Sequence, residues 1–127
     1  MATPKKPSLK KLGVQFDPFV LIHENNSKIK ITELYHGSQR EFTEGDVITP
    51  QTKKVAHATT SWPDAYNFSH HTNDEGVKNA GNVYVVHPLD TNDTNSTWVR
   101  PMKYAPRNTQ EVVSSKGFRV IKKIYPH

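Results

Sequence analysis

The sequence predicts a small α+β domain: a split, mostly antiparallel β-sheet core with one main helix. Three observations carry this. Short β-rich runs recur along the chain, the clearest being Asn82-Val83-Tyr84-Val85-Val86-His87 between Gly81 and Pro88. One segment, Ser61-Trp62-Pro63-Asp64, has the chemistry of a helix start, with serine at the cap and proline in the first turn. A length of 127 residues suits one modest core rather than two.

Taken in order, residues 1–13 carry Pro4, Pro7, Gly13 and four lysines, and read as a flexible basic N-terminal arm ahead of a single domain at 14–127. The apolar run Val14 to Ile22 is broken by Pro18, which suits an irregular or edge segment. Asn25-Asn26-Ser27 marks a turn, and Ile29 and Ile31 alternate with lysines as in a half-buried strand. A strand is expected over 34–37. Gly45-Asp46 opens a turn before Val47 and Ile48, and a further strand covers 55–59. The helix should run over 62–72 with Ala65, Phe68 and Tyr66 toward the core. After the strand at 82–87, the polar stretch 89–106 reads as one long loop, and loops of that length are often functional. Two β-rich runs, 111–114 and 118–124, flank Lys116-Gly117 and suggest a hairpin.

Composition narrows the chemistry. The chain has no cysteine, which excludes disulfides, thiolate zinc sites and a cysteine nucleophile. It has no apolar run near the ~20 residues of a membrane span, and Met1 to Lys11 lacks the apolar stretch of a secretory signal. A cytoplasmic monomer with no membrane partner is the expectation. The net charge of +5 could serve a phosphate-rich ligand or a nucleic acid. No aromatic residues alternate with the lysines of the arm, so a solvated tail explains that charge more simply.

Three polar side chains sit at strand edges: His36 in Leu34-Tyr35-His36-Gly37-Ser38, His57 in Val55-Ala56-His57-Ala58-Thr59, and Glu111 in Glu111-Val112-Val113-Ser114. Taken singly, each histidine reads as an ordinary hydrogen-bonded residue, and Glu111 as the exposed position of an alternating strand. Their order and surroundings say more. Tyr35-His36-Gly37-Ser38 followed by Gly45-Asp46-Val47-Ile48-Thr49-Pro50 resembles the opening of the rifampin ADP-ribosyltransferases. Ala58-Thr59 with the helix at Asp64-Ala65 looks like that family's second strand and helix. Val83-Tyr84-Val85-Val86-His87-Pro88 is similar to a later strand, and Asn108 to Ser114 with Phe118 to Ile121 is similar to the closing ones. The resemblance spans about residues 34 to 124.

What the resemblance implies is an ADP-ribosyltransferase-like fold and transfer of ADP-ribose from NAD⁺, used as a substrate and without a metal. The acceptor it implies is a rifamycin-type antibiotic, with a protein or a nucleic acid as alternatives. His36, with Gly37 and Ser38, would hold the cofactor's ribose. His57 stands where the family has a tyrosine that stacks on nicotinamide, and Tyr66 or Trp62 could supply a ring instead. Glu111 stands where the wider fold has a catalytic glutamate. The rifampin enzymes use a loop aspartate, which makes Asp93 the second candidate for that role.

Other readings stay open. His36 and His57 could act as the acid–base pair of a small basic ribonuclease, and the fold could serve as a non-catalytic binding module. His70-His71 with Asp74 and Glu75 contains metal-ligand types, but adjacent residues at a helix end are poorly placed to chelate together. Trp98, Pro101, Met102 and Tyr104 give the long loop an apolar side that suits either packing on the sheet or one wall of an acceptor pocket.

Overall fold

A computed structural model of the chain describes residues 3–51, 54–72, 78–79, 81–102 and 109–126. In chain order the elements are β1 (Phe19–Ile22), β2 (Lys28–Ile31), β3 (Tyr35–Ser38), β4 (Val47–Ile48), β5 (Ala56–Thr59), α1 (Trp62–Ser69), β6 (His71–Thr72), β7 (Lys78–Asn79), β8 (Asn82–Pro88), β9 (Thr97–Pro101), β10 (Gln110–Ser114) and β11 (Phe118–Tyr125). Seven strands form one sheet in the order β4-β11-β8-β3-β5-β10-β9, with every neighbouring pair antiparallel. The pairs β1-β2 and β6-β7 form separate two-stranded sheets. The α+β architecture read from the sequence is what folds.

The alternation within β8 explains its place. Val83 and Val85 pack on one face with Tyr35, Trp62 and Ala65, while Tyr84 and Val86 pack on the other with Leu34, Val112 and Phe118. A strand apolar on both faces belongs in the interior of a sheet, and β8 lies between β11 and β3. The helix covers the first of these faces. Its buried residues, Trp62, Ala65 and Ser69, recur at helical spacing on one side, and Phe68 lies off that stripe and is 57% exposed. The expectation that Phe68 faces the core is therefore corrected. At the N-terminus Ser61 Oγ accepts from the Asp64 amide at 3.3 Å. The helix stops at Ser69, short of residue 72, because Ser69 Oγ and His70 Nδ1 both take the Tyr66 carbonyl and His70 turns extended.

Two further expectations are corrected. The stretch 89–106 is not all loop, since Thr97–Pro101 adds β9 to the sheet edge beside β10. Val99 provides the apolar anchor there, fully buried in the core cluster with Ala58 and Val112. Nor do β10 and β11 form a hairpin: β10 pairs with β5 and β9, and β11 with β8 and β4. In a flat sheet four strand spacings would separate them by about 19 Å. The link 115–117 spans at most about 14 Å from Ser114 to Phe118. The sheet therefore curls back on itself, and side chains of both halves (Val86 and Phe118 from one, Ala58, Val99 and Val112 from the other) meet in one core cluster.

The N-terminal segment, expected as a flexible arm, lies against the core. Leu9 and Leu12 pack beside Val14 and Trp62, Trp62 Nε1 donates to the Pro4 carbonyl at 2.8 Å, and Lys122 Nζ donates to the Leu12 carbonyl at 2.8 Å. Its lysines remain exposed, Lys6 Nζ pairing with Glu33 Oε2 at 2.7 Å, while the leucines pack inward.

The turn that closes the curl tolerates little. Gly117 has φ +95°, and a Cβ there would run into the Ile48 carbonyl. Gly117→Ala is expected to cost about 3 kcal/mol from backbone strain and overpacking together. Urea unfolding measures it, and a loss under about 1 kcal/mol would show that the turn adapts.

Candidate active site

The register places the site. Across five strands runs one row of paired residues: Val85 on β8, Tyr35 on β3, Thr59 on β5, Glu111 on β10 and Arg100 on β9. Directly paired residues share a face, so this whole row points to the side that carries α1. The helix covers the β8 and β3 end. The other end borders a cleft of about 820 Å³, whose walls include His36, Gly37, His57, Thr59, Arg100 and Glu111. Phe68 and Met102 add apolar walls.

Glu111 is the most constrained side chain of the cleft. Its Oε1 accepts from His57 Nδ1 at 2.9 Å and from Arg100 Nε at 3.0 Å, and Arg100 Nη2 pairs with it at 3.0 Å. The Glu111 side chain is 13% exposed, against 37% for His57 and 35% for Arg100. Burial pushes its pKa up, but the hydrogen bond and charge of His57, with the charge and hydrogen bond of Arg100, outweigh that and hold the carboxyl below its ordinary 4.5. Glu111 is a carboxylate at neutral pH.

His36 reaches the cleft by a different route. It alternates with Tyr35, so it leaves the sheet on the opposite face, opposite Tyr84 and beside the Phe42 ring at 6.3 Å. Strands β3 and β5 share a single ladder pair, Tyr35 with Thr59, and past it the strands exchange no further pair. The His57 carbonyl consequently takes its hydrogen bond from a side chain, His36 Nδ1 at 2.7 Å. Burial is the main cause that lowers the His36 pKa, and the charges of His57 and Arg40 add to it against the His57 carbonyl bond. The imidazole is neutral, with Nδ1–H donating and Nε2 left as an acceptor. His36 and Glu111 thus border one cleft and are joined through the backbone and ring of His57, not by direct contact.

The remaining sequence candidates divide. Gly37 lines the cleft and lets β3 run under the helix, where a Cβ would strike the Ala65 carbonyl. Ser38 lies at the strand end, where its Oγ accepts from the Arg40 amide at 3.0 Å, and is not part of the lining. Tyr66 packs against the rings of His70 and Tyr125, with centroids 4.3 Å and 5.2 Å away, and does not line the cleft. Asp93 closes a turn before β9, accepting from the Asn95 amide at 2.9 Å and lying 3.6 Å from Lys116. It too stands outside the cleft. Among the described residues no three His, Cys, Asp or Glu side chains come together as a metal site, and Asp74, Glu75 and Tyr104 lie outside the described residues. No helix is long and apolar enough to cross a membrane among the described residues.

Arg100 and Phe68 were not legible as site residues. Arg100 sits in a polar stretch whose strand is revealed only by its pairing with β10, and Phe68 had the signature of a core residue. Comparison of the chain with protein-family models, with curated proteins and with solved structures finds no match in any of the three.

The protonation states give a stability test. His36 has a folded pKa below its ordinary 6.5, so below that pH the unfolded chain binds a proton that the folded chain resists. Stability should fall as pH drops from 7 toward 5, before the window in which Glu111 matters, which opens near 4.5. His36→Asn keeps an amide N–H for the His57 carbonyl and should flatten this slope. Identical slopes in urea titrations of both proteins would remove His36 as the source.

Proposed function

We propose that the chain is an NAD⁺-dependent mono-ADP-ribosyltransferase on an ADP-ribosyltransferase-like fold. The observation that carries the reading is an ionised, oriented carboxylate, Glu111, on the wall of a cleft of suitable size beside a neutral histidine, His36. A volume of about 820 Å³ is within the range of small-molecule sites. NAD⁺ enters as a substrate. The resemblance of Tyr35-His36-Gly37-Ser38 and of the later motifs to the rifampin enzymes supports the same conclusion.

The chemistry follows from what each side chain can do. Breaking the bond between ribose C1′ and nicotinamide leaves positive charge on the ribose, and nicotinamide departs with the bonding electrons. An anionic carboxylate in a partly buried site stabilises that charge as it develops. His36, with Nε2 free to accept, suits a ribose hydroxyl and acts by positioning. His57 is engaged with Glu111, and Phe68, exposed on the cleft wall, is the better placed ring to cover nicotinamide. Pro101 and Met102 extend an apolar wall that an acceptor could use. A rifamycin-type molecule, a protein side chain and a nucleic acid are all acceptors of the right kind. Asp93, outside the cleft, is a weaker candidate for the carboxylate role than Glu111. The ribonuclease alternative has less support, because His57 Nε2, the nitrogen left for acid–base work, is buried.

Glu111→Gln keeps the side chain's size and removes its charge. It should lower the rate of nicotinamide release on the order of a hundredfold or more while leaving NAD⁺ affinity nearly unchanged, because the charge acts in the transition state. Labelled NAD⁺ with a rifamycin, cell lysate or RNA then identifies the acceptor. A variant as active as the wild type would refute the assignment of Glu111, and wild-type protein that neither binds nor turns over NAD⁺ would leave a binding module.

A further inference from the structure

The geometry points to Arg100 as the positioning residue of the site: its guanidinium, with His57, occupies Oε1 of Glu111 and turns Oε2 toward the cleft as the catalytic oxygen. This deepens the reading of Glu111 above and rests on it for the word catalytic, though not for the orientation itself.

Three donors converge on one atom. His57 Nδ1 lies 2.9 Å from Oε1, and Arg100 Nε and Nη2 each lie 3.0 Å from it. A guanidinium facing a free carboxylate ordinarily engages both oxygens in a fork. Here both arginine donors share Oε1, and Oε2 has no protein partner among the described residues. That oxygen is also not sealed in, because the buried side-chain atoms left without partners are His57 Nε2 and Asp64 Oδ2 alone among the described residues. Glu111 lines the cleft, so Oε2 is the acceptor it presents there. The arrangement is built into the sheet: Arg100 and Glu111 are direct cross-strand partners, and Thr59 pairs with Glu111 from the other side. Two neighbouring strands therefore fix the carboxylate's rotation. Arg100 also contributes to holding the carboxyl ionised, a consequence of the same contact.

Charge and geometry are separable by substitution. Arg100→Lys keeps the positive charge but cannot bring a rigid pair of donors to one oxygen. Arg100→Gln removes the charge as well. Three readouts on the full chain distinguish them: NAD⁺ affinity, kcat for nicotinamide release, and the pH titration of the Glu111 carboxyl carbon by NMR. The expected pattern has affinity within about twofold in both variants and kcat reduced on the order of ten- to a hundredfold in both. The Glu111 titration should move to higher pH in Arg100→Gln and stay near its original position in Arg100→Lys. Unchanged kcat with an unchanged titration in Arg100→Gln overturns the proposal. A fall in NAD⁺ affinity with kcat intact overturns it too, since Arg100 would then bind the substrate itself. If the wild-type chain does not turn over NAD⁺, the transferase reading fails separately, and the carboxyl titration in the ligand-free protein still decides whether Arg100 holds Glu111.

Discussion

Three residues, 115–117, join β10 to β11, although β5, β3 and β8 stand between those strands in the sheet. So short a link cannot cross a flat sheet, so the sheet curls; its thinnest ladder is the single pair Tyr35 with Thr59 between β3 and β5. Ser114 helps make the turn: its Oγ accepts from the amides of Lys116 and Gly117 at 3.2 and 3.1 Å. The thin junction leaves the His57 carbonyl without a β3 partner, and His36 fills that place at 2.7 Å. The thin β3–β5 junction is thus where a histidine side chain reaches the cleft.

The two faces of the sheet then take different roles. The face away from the helix is sealed by the halves meeting around Tyr84, Val112 and Phe118, which supplies the burial that stabilises the fold. The other face is only partly covered, because α1 is eight residues long and sits over β3 and β8 through Trp62 and Ala65. Its last residue, Ser69, lies against Gly37 and Gly81 at the β3 and β8 end, and Glu111 and Arg100 stay open to the cleft, with Phe68 on its wall.

Much of the fold was legible in the sequence because local chemistry decided it. Ser61 and Pro63 mark the helix start, and the doubly apolar run at 83–86 marks an interior strand whichever neighbours it has. What failed was non-local. Lys116-Gly117 is a good turn dipeptide, and a turn does form there, but whether it makes a hairpin depends on pairings with β5 and β8, far away in sequence. Thr97 to Pro101 alternates too weakly to announce a strand without β10 beside it. The site divides the same way: His36, Gly37, His57 and Glu111 could be named from motif order and all line one cleft, whereas Arg100 enters only through register and Asp93 lies outside the lining.

We propose that this cleft, and not another surface, receives NAD⁺. Titrating the labelled protein with NAD⁺ and following the backbone amide resonances tests it most directly. Saturable shifts are predicted at 35–37, 57–59 and 100–102, and at Phe68 and Glu111, with β1, β2 and the 89–96 loop unaffected. An absence of saturable shifts, or shifts gathered on the β1-β2 pair or the basic N-terminal segment, would contradict it.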